Sequence, residues 1–96
     1  MSDETTIATP ADPNDPEDRP ISVAAWKRGV MGRSIRQLRN RLGMSQTEFA
    51  ATYGIPAASI RQYEIGRYMP PPATRAYLKV IEAEPEVARR AAAAAL

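Results

Sequence analysis

Apolar side chains recur at helical spacing along most of this chain, and the points where the rhythm breaks mark its elements. From about Gly32 to Leu42, Ile35, Leu38 and Leu42 repeat at three and four residues, with Arg33, Arg36, Arg39 and Arg41 on the other faces. That pattern predicts an amphipathic helix, stopped by Gly43. A shorter helix is expected from Ser22 to Arg28, with Ser22 as its cap, Val23, Trp26 and Val30 along one side, and Gly29 and Gly32 as punctuation. Ser45 with Glu48 three residues later makes a capping box, and Met44 can staple onto Phe49 across it. The helix it opens should reach about Tyr53. Another helix starts near Pro56, whose missing N–H is harmless in a first turn, and ends at Gly66. Beyond MPPPATR, a helix over roughly Ala73 to Ala83 carries Tyr77, Leu78 and Ile81 as its core stripe. Pro85 starts the last one, EVARRAAAAAL, whose alanines favour helix without burying much.

No such rhythm exists in MSDETTIATPADPNDPEDRP, which has four prolines, six acids and almost no large apolar residue. Such a segment buries too little to offset the entropy of ordering, so residues 1–20 are expected to form a disordered acidic arm. The net charge of +2 conceals this asymmetry. Asp3, Glu4, Asp12, Asp15, Glu17 and Asp18 against Arg19 give the arm −5, while twelve bases and five acids give the remainder +7. A basic body beside an acidic arm fits a polyanion-binding domain, with solubility alone as the plainer explanation.

Ninety-six residues make one domain at most, burying roughly 60 to 65% of the unfolded surface, which favours a helical bundle over a large catalytic cleft. Without Cys or His there are no thiol nucleophiles, disulfides, imidazole bases or usual zinc and haem ligands. No catalytic constellation stands out among the Asp, Glu, Ser and Tyr residues, so no enzyme, metal or cofactor is expected. No apolar run approaches the roughly 20 residues of a membrane span, and the N-terminus lacks the parts of a signal peptide. The expectation is a cytoplasmic, bacterial protein.

The most informative window is Gln46 to Ile65, QTEFAATYGIPAASIRQYEI, with Ala fifth, Gly ninth, and apolar residues fourth, eighth, tenth, fifteenth and eighteenth. That is the spacing of a helix-turn-helix. Two helices crossing at about 100° leave no room for a bulky side chain at Ala50, and the chain reverses through a left-handed residue at Gly54. Phe49, Tyr53, Ile55, Ile60 and Tyr63 would face one core, leaving the second helix free to enter a DNA major groove. Its first turns present Ala57, Ala58, Ser59, Arg61 and Gln62 as base-contacting candidates. Gln can pair bidentately with adenine and Ala can pack on a thymine methyl, although both alanines also serve helix propensity alone. Gln46, at the start of the preceding helix, is a candidate for a phosphate. Arg36 and Tyr68 are further phosphate candidates, with simple solvation as the alternative. Trp26 is either a core residue or the anchor of a partner interface.

With Leu38-Arg39, Gly43, Ser45-Gln46, Ala50, Gly54, Ile60, Glu64, Gly66 and Pro70 in place, residues 35–84 resemble the phage-repressor or XRE type of helix-turn-helix domain. The resemblance implies an all-α, five-helix lambda-repressor-like domain. It divides the chain into an arm over 1–20, a short helix or linker over 21–31, the helix-turn-helix domain over 32–84 and a C-terminal helix over 85–96. It also implies that Arg39 and Glu64 form a structural ion pair and that Arg67 holds DNA backbone. A narrower resemblance, carried by IRQYEIGRYMPPPATRAYLKVIEAEPEVA, is to HigA-type antitoxins of toxin-antitoxin operons. It implies a repressor with a small toxin protein as partner; as a homodimer it would call for an inverted-repeat operator in double-stranded DNA, and Trp26 is the candidate anchor for the toxin. The alternative is a free-standing phage-like XRE regulator without a toxin.

Overall fold

The computed structural model describes residues 22–95, and the acidic arm expected over residues 1–20 lies outside them. Among the described residues there are five helices and no strand: α1 (Val23–Arg41), α2 (Gln46–Tyr53), α3 (Ala57–Glu64), α4 (Pro72–Ala83) and α5 (Pro85–Ala94). The all-α expectation holds. The helix expected from Ala73 starts one residue earlier, with Pro72 in its first turn, where the missing N–H leaves no bond unmade.

The largest departure is at α1. A short helix over residues 22–28 and a separate one from Gly32 were expected, with 21–31 as a linker, but α1 is a single helix of 19 residues running through both glycines. Its start is as expected, since Ser22 Oγ accepts the Ala25 N–H at 3.0 Å. Glycine inside a helix costs only about 0.5–1 kcal/mol relative to alanine, a penalty that packing readily offsets. Here the packing is specific. A Cβ on Gly32 would stand 2.5 Å from the Tyr63 carbonyl oxygen and 2.7 Å from that of Glu64. Gly32 therefore lets the backbone of α1 lie directly on the end of α3. One helical turn earlier, Gly29 faces the turn at Gly66, where an added Cβ would lie 3.6 Å from the Gly29 Cα.

Helix α2 begins with the full capping box: Ser45 Oγ accepts the Glu48 N–H at 3.0 Å and Glu48 Oε1 accepts the Ser45 N–H at 2.9 Å. It ends at Gly54 in the left-handed region, φ 72°, whose N–H closes onto the Ala50 carbonyl. A non-glycine residue would be strained there. The cluster that this turn folds around comprises Ile35, Leu38, Phe49, Ala50, Tyr53, Ile55, Ile60, Leu78, Ile81 and Ala88. Phe49, Ile60 and Ile81 are completely buried, whereas Leu42 and Tyr63, both expected in the core, pack against it only partly.

Helix α3 packs on α1 and α2, and α5 packs on α2 and α4. Burial of Ala88 makes α5 part of the same body, more than an alanine-rich appendage. Two tyrosines close this side. Tyr77 Oη donates to the Tyr53 carbonyl at 2.7 Å and Tyr53 Oη to that of Pro85 at 3.3 Å.

The two glycines of α1 should respond to alanine in opposite directions. Gly29→Ala adds a Cβ that meets nothing within 4 Å, so it should stabilise by about 0.5–1 kcal/mol through helix propensity. Gly32→Ala should destabilise by about 1–3 kcal/mol because backbone oxygens of α3 cannot yield. Thermal unfolding followed by circular dichroism checks both; equal responses would mean that α1 does not lie on α3 as described.

Candidate nucleic-acid interface

The outer face of the domain is organised around α3, an eight-residue helix held at both ends. At its start, the Ser59 and Ile60 N–H groups donate to the Pro56 carbonyl, and Ile60 is fully buried. At its end, Glu64 is the buried polar residue of the core, 7% exposed. Arg39 of α1 meets its carboxylate through two parallel hydrogen bonds, Nε to Oε2 at 2.8 Å and Nη2 to Oε1 at 3.0 Å. The remaining guanidinium arm, Nη1, donates to the Met44 carbonyl at 3.0 Å, just before α2. Gln46 Nε2 completes the arrangement by donating to Glu64 Oε1 at 3.1 Å. One carboxylate thus joins α1, α2 and α3.

Burial acts to raise the Glu64 pKa, since it penalises the charged form. The hydrogen bonds from Arg39 and Gln46, with the positive charges of Arg39 and Arg36, outweigh it and hold the carboxyl below the usual carboxylate range. The same bond raises the Arg39 pKa, so the pair is ionised throughout the neutral range.

Around this anchor the expected site residues separate into distinct environments. Ala58 and Arg61 are exposed on α3, Ser59 and Gln62 are half-buried on it, and Ala57 packs against the core. Arg67 and Tyr68 are exposed just beyond the helix, Tyr68 at 58%. Arg36 is exposed on α1 and close enough to Glu64 to depress its pKa, which puts it at the edge of the same face. Gln46 differs from its expected part, because its amide is bonded to Glu64. Trp26 lies outside the core cluster and is 45% exposed, with Val23 and Val30 also exposed on α1. Of its two expected roles, the core one is not what the fold shows.

The chain matches the model of the helix-turn-helix domain family over residues 30–92. It belongs to that family. Membership in the helix-turn-helix family points to a DNA-binding regulator, and the match ends at residue 92, within α5. No curated protein and no solved structure matches this helix-turn-helix chain. No helix among its described residues is long and apolar enough to cross a membrane.

Two contacts had no counterpart in the sequence reading. Arg28 Nε donates to the Gly66 carbonyl at 2.9 Å, tying α1 to the turn that follows α3. Pro70, completely buried, offers its carbonyl to Arg75 Nη1 at 2.7 Å and fixes the path from α3 to α4. Arg28 and Gly66 meet only through the tertiary path of the chain, whereas Pro70 and Arg75 are near neighbours in sequence, and neither contact has a periodic signature.

The depressed Glu64 pKa gives a pH prediction. In the unfolded chain a Glu carboxyl titrates near 4.3, so the stabilisation is present above that value and is lost as pH falls through the lower folded-state pKa. Urea unfolding should show declining stability below about pH 5. Glu64→Gln should be less stable at pH 7 by up to ~3 kcal/mol and should decline less steeply in acid. Glu86, drawn down by its hydrogen bond from Arg89, contributes to the same window in both proteins, so the difference between the two curves isolates Glu64.

Proposed function

We propose that this chain is a sequence-specific transcriptional repressor that inserts α3 into the DNA major groove. The observation that carries the reading is the outward face of α3, which combines exposed Ala58 and Arg61 with half-buried Ser59 and Gln62 on a helix fixed to α1 and α2 by one buried carboxylate. A reading helix must hold its base-contacting side chains in fixed register, and anchoring at Glu64 supplies that rigidity. Ala58, Ser59, Arg61 and Gln62 contact base edges, while Ala57 supports the start of the helix. Arg67, Arg36 and Tyr68 hold phosphates, and the start of α2 at Gln46 approaches a further one. Two copies related by a two-fold axis would place their reading helices about one DNA turn apart, which calls for an inverted-repeat operator.

Within this reading, the chain serves as the antitoxin of a toxin-antitoxin operon, repressing its own transcription in the cytoplasm and neutralising a small toxin. Support comes from the resemblance carried by residues 60–88 and from Trp26, an exposed aromatic on a helix rich in basic residues. Co-expression with the product of the adjacent gene tests it. A stable complex that protects cells from that product, and that Trp26→Ala weakens, is the expected result. An adjacent product that is harmless and does not bind would leave a free-standing regulator.

Arg67→Ala should weaken binding to operator and to random duplex alike and lower the slope of log K against log salt by about 1. Fluorescence anisotropy at several salt concentrations checks this. A loss confined to the operator would make Arg67 a base reader.

A further inference from the structure

One buried side-chain polar atom on the reading helix has no hydrogen-bond partner among the described residues. Gln62, in the second turn of α3, is half-buried, and its Oε1 is buried without a hydrogen-bond donor. Native proteins rarely leave such an acceptor unpaired. Gln62 lines an open hollow of about 340 Å³, with Ala58 and Ser59 beside it on α3 and Tyr68, Met69 and Pro71 from the following loop. Ser59 and Tyr68 line the same hollow, yet neither hydroxyl donates to Oε1.

We propose that Gln62 Oε1 is the specificity-determining acceptor of the interface, and that its missing partner is the exocyclic amino group of a base. The inference rests on the DNA-reading role of α3 and narrows it to a chemical class. In the major groove only adenine N6 and cytosine N4 offer N–H donors to a side-chain carbonyl; guanine and thymine present acceptors there. Turning the carboxamide outward is a rotation about its terminal bond, a broad two-fold torsion. Because Oε1 has no bond to break, meeting an amino group is a net gain of one hydrogen bond. Facing guanine or thymine, the acceptor stays unpaired. Adenine is preferred over cytosine, since Gln62 Nε2 can donate to adenine N7 while Oε1 accepts from N6. The contrast with Gln46 supports the assignment, because its amide is already committed to Glu64 and cannot turn without losing that bond.

The test is selection from a pool of randomised DNA duplexes by the full chain, as wild type, Gln62→Met and Gln62→Glu, with circular dichroism on each protein. Wild type should select adenine at one position of each half-site. Gln62→Glu, with acceptors only, should shift that position to cytosine. Gln62→Met, similar in size and without an acceptor, should lose the preference there and bind the wild-type site roughly 5- to 150-fold more weakly, with affinity for random duplex nearly unchanged. Its unfolding temperature without DNA should equal or exceed that of wild type, because an unpaired buried acceptor has been removed. A wild-type preference for guanine or thymine at the responsive position, or an unaltered preference in Gln62→Met, would overturn the proposal. So would a Gln62→Met protein that unfolds, since the carbonyl would then serve the core. Absence of binding to any duplex in the pool would instead refute the DNA-reading role itself.

Discussion

The Glu64 carboxylate, 7% exposed and bonded by Arg39 and Gln46, is the constraint on which the geometry of the outer face depends. A charge in that position is tolerable only because its lone pairs are met, twice by one guanidinium and once by an amide. The two donor residues come from different helices, and the third arm of Arg39 reaches the Met44 carbonyl between them. Apolar packing would hold these helices together in many similar arrangements. Directional bonds converging on one group allow few, so the angle at which α3 is presented is set here rather than by the core alone.

The second constraint is closeness of approach. Gly32 brings the α1 backbone against the Tyr63 and Glu64 carbonyls, within a distance that no side chain permits. The Arg39–Glu64 pair lies two turns further along α1 from the same contact, so close backbone packing and the ion pair reinforce each other along one seam. Removing room at Gly32 would therefore alter the bond lengths at Glu64 as well as the packing.

Much of this was legible in the chain, and the exceptions have a common cause. The capping box at Ser45 and Glu48, the left-handed turn at Gly54 and the stripe of Leu78 and Ile81 are local signals, each encoded within a few residues, and each appeared where expected. Gly32 misled because glycine has two local meanings, interruption and close contact, and only the position of α3 distinguishes them; Gly29 is simply tolerated inside the helix. Gln46 was expected on a phosphate for the same reason, since nothing in sequence brings it near Glu64, eighteen residues away. The exposed part of α3 was legible as a helix face. The unpaired state of Gln62 Oε1 was not, because it arises in a hollow that α3 forms together with Tyr68, Met69 and Pro71 of the following loop.

The bond from Arg28 to the Gly66 carbonyl bears on where the working unit begins. The family match starts at residue 30, two residues after Arg28, yet this bond fastens the preceding turns of α1 to the exit of α3. Any force on the outer end of α1, from a bound partner or from the chain ahead of it, is thus transmitted to the segment carrying Arg67. The boundary of sequence likeness and the boundary of mechanical continuity do not coincide in this molecule. Fragments trimmed to the former would sever a strut of the latter.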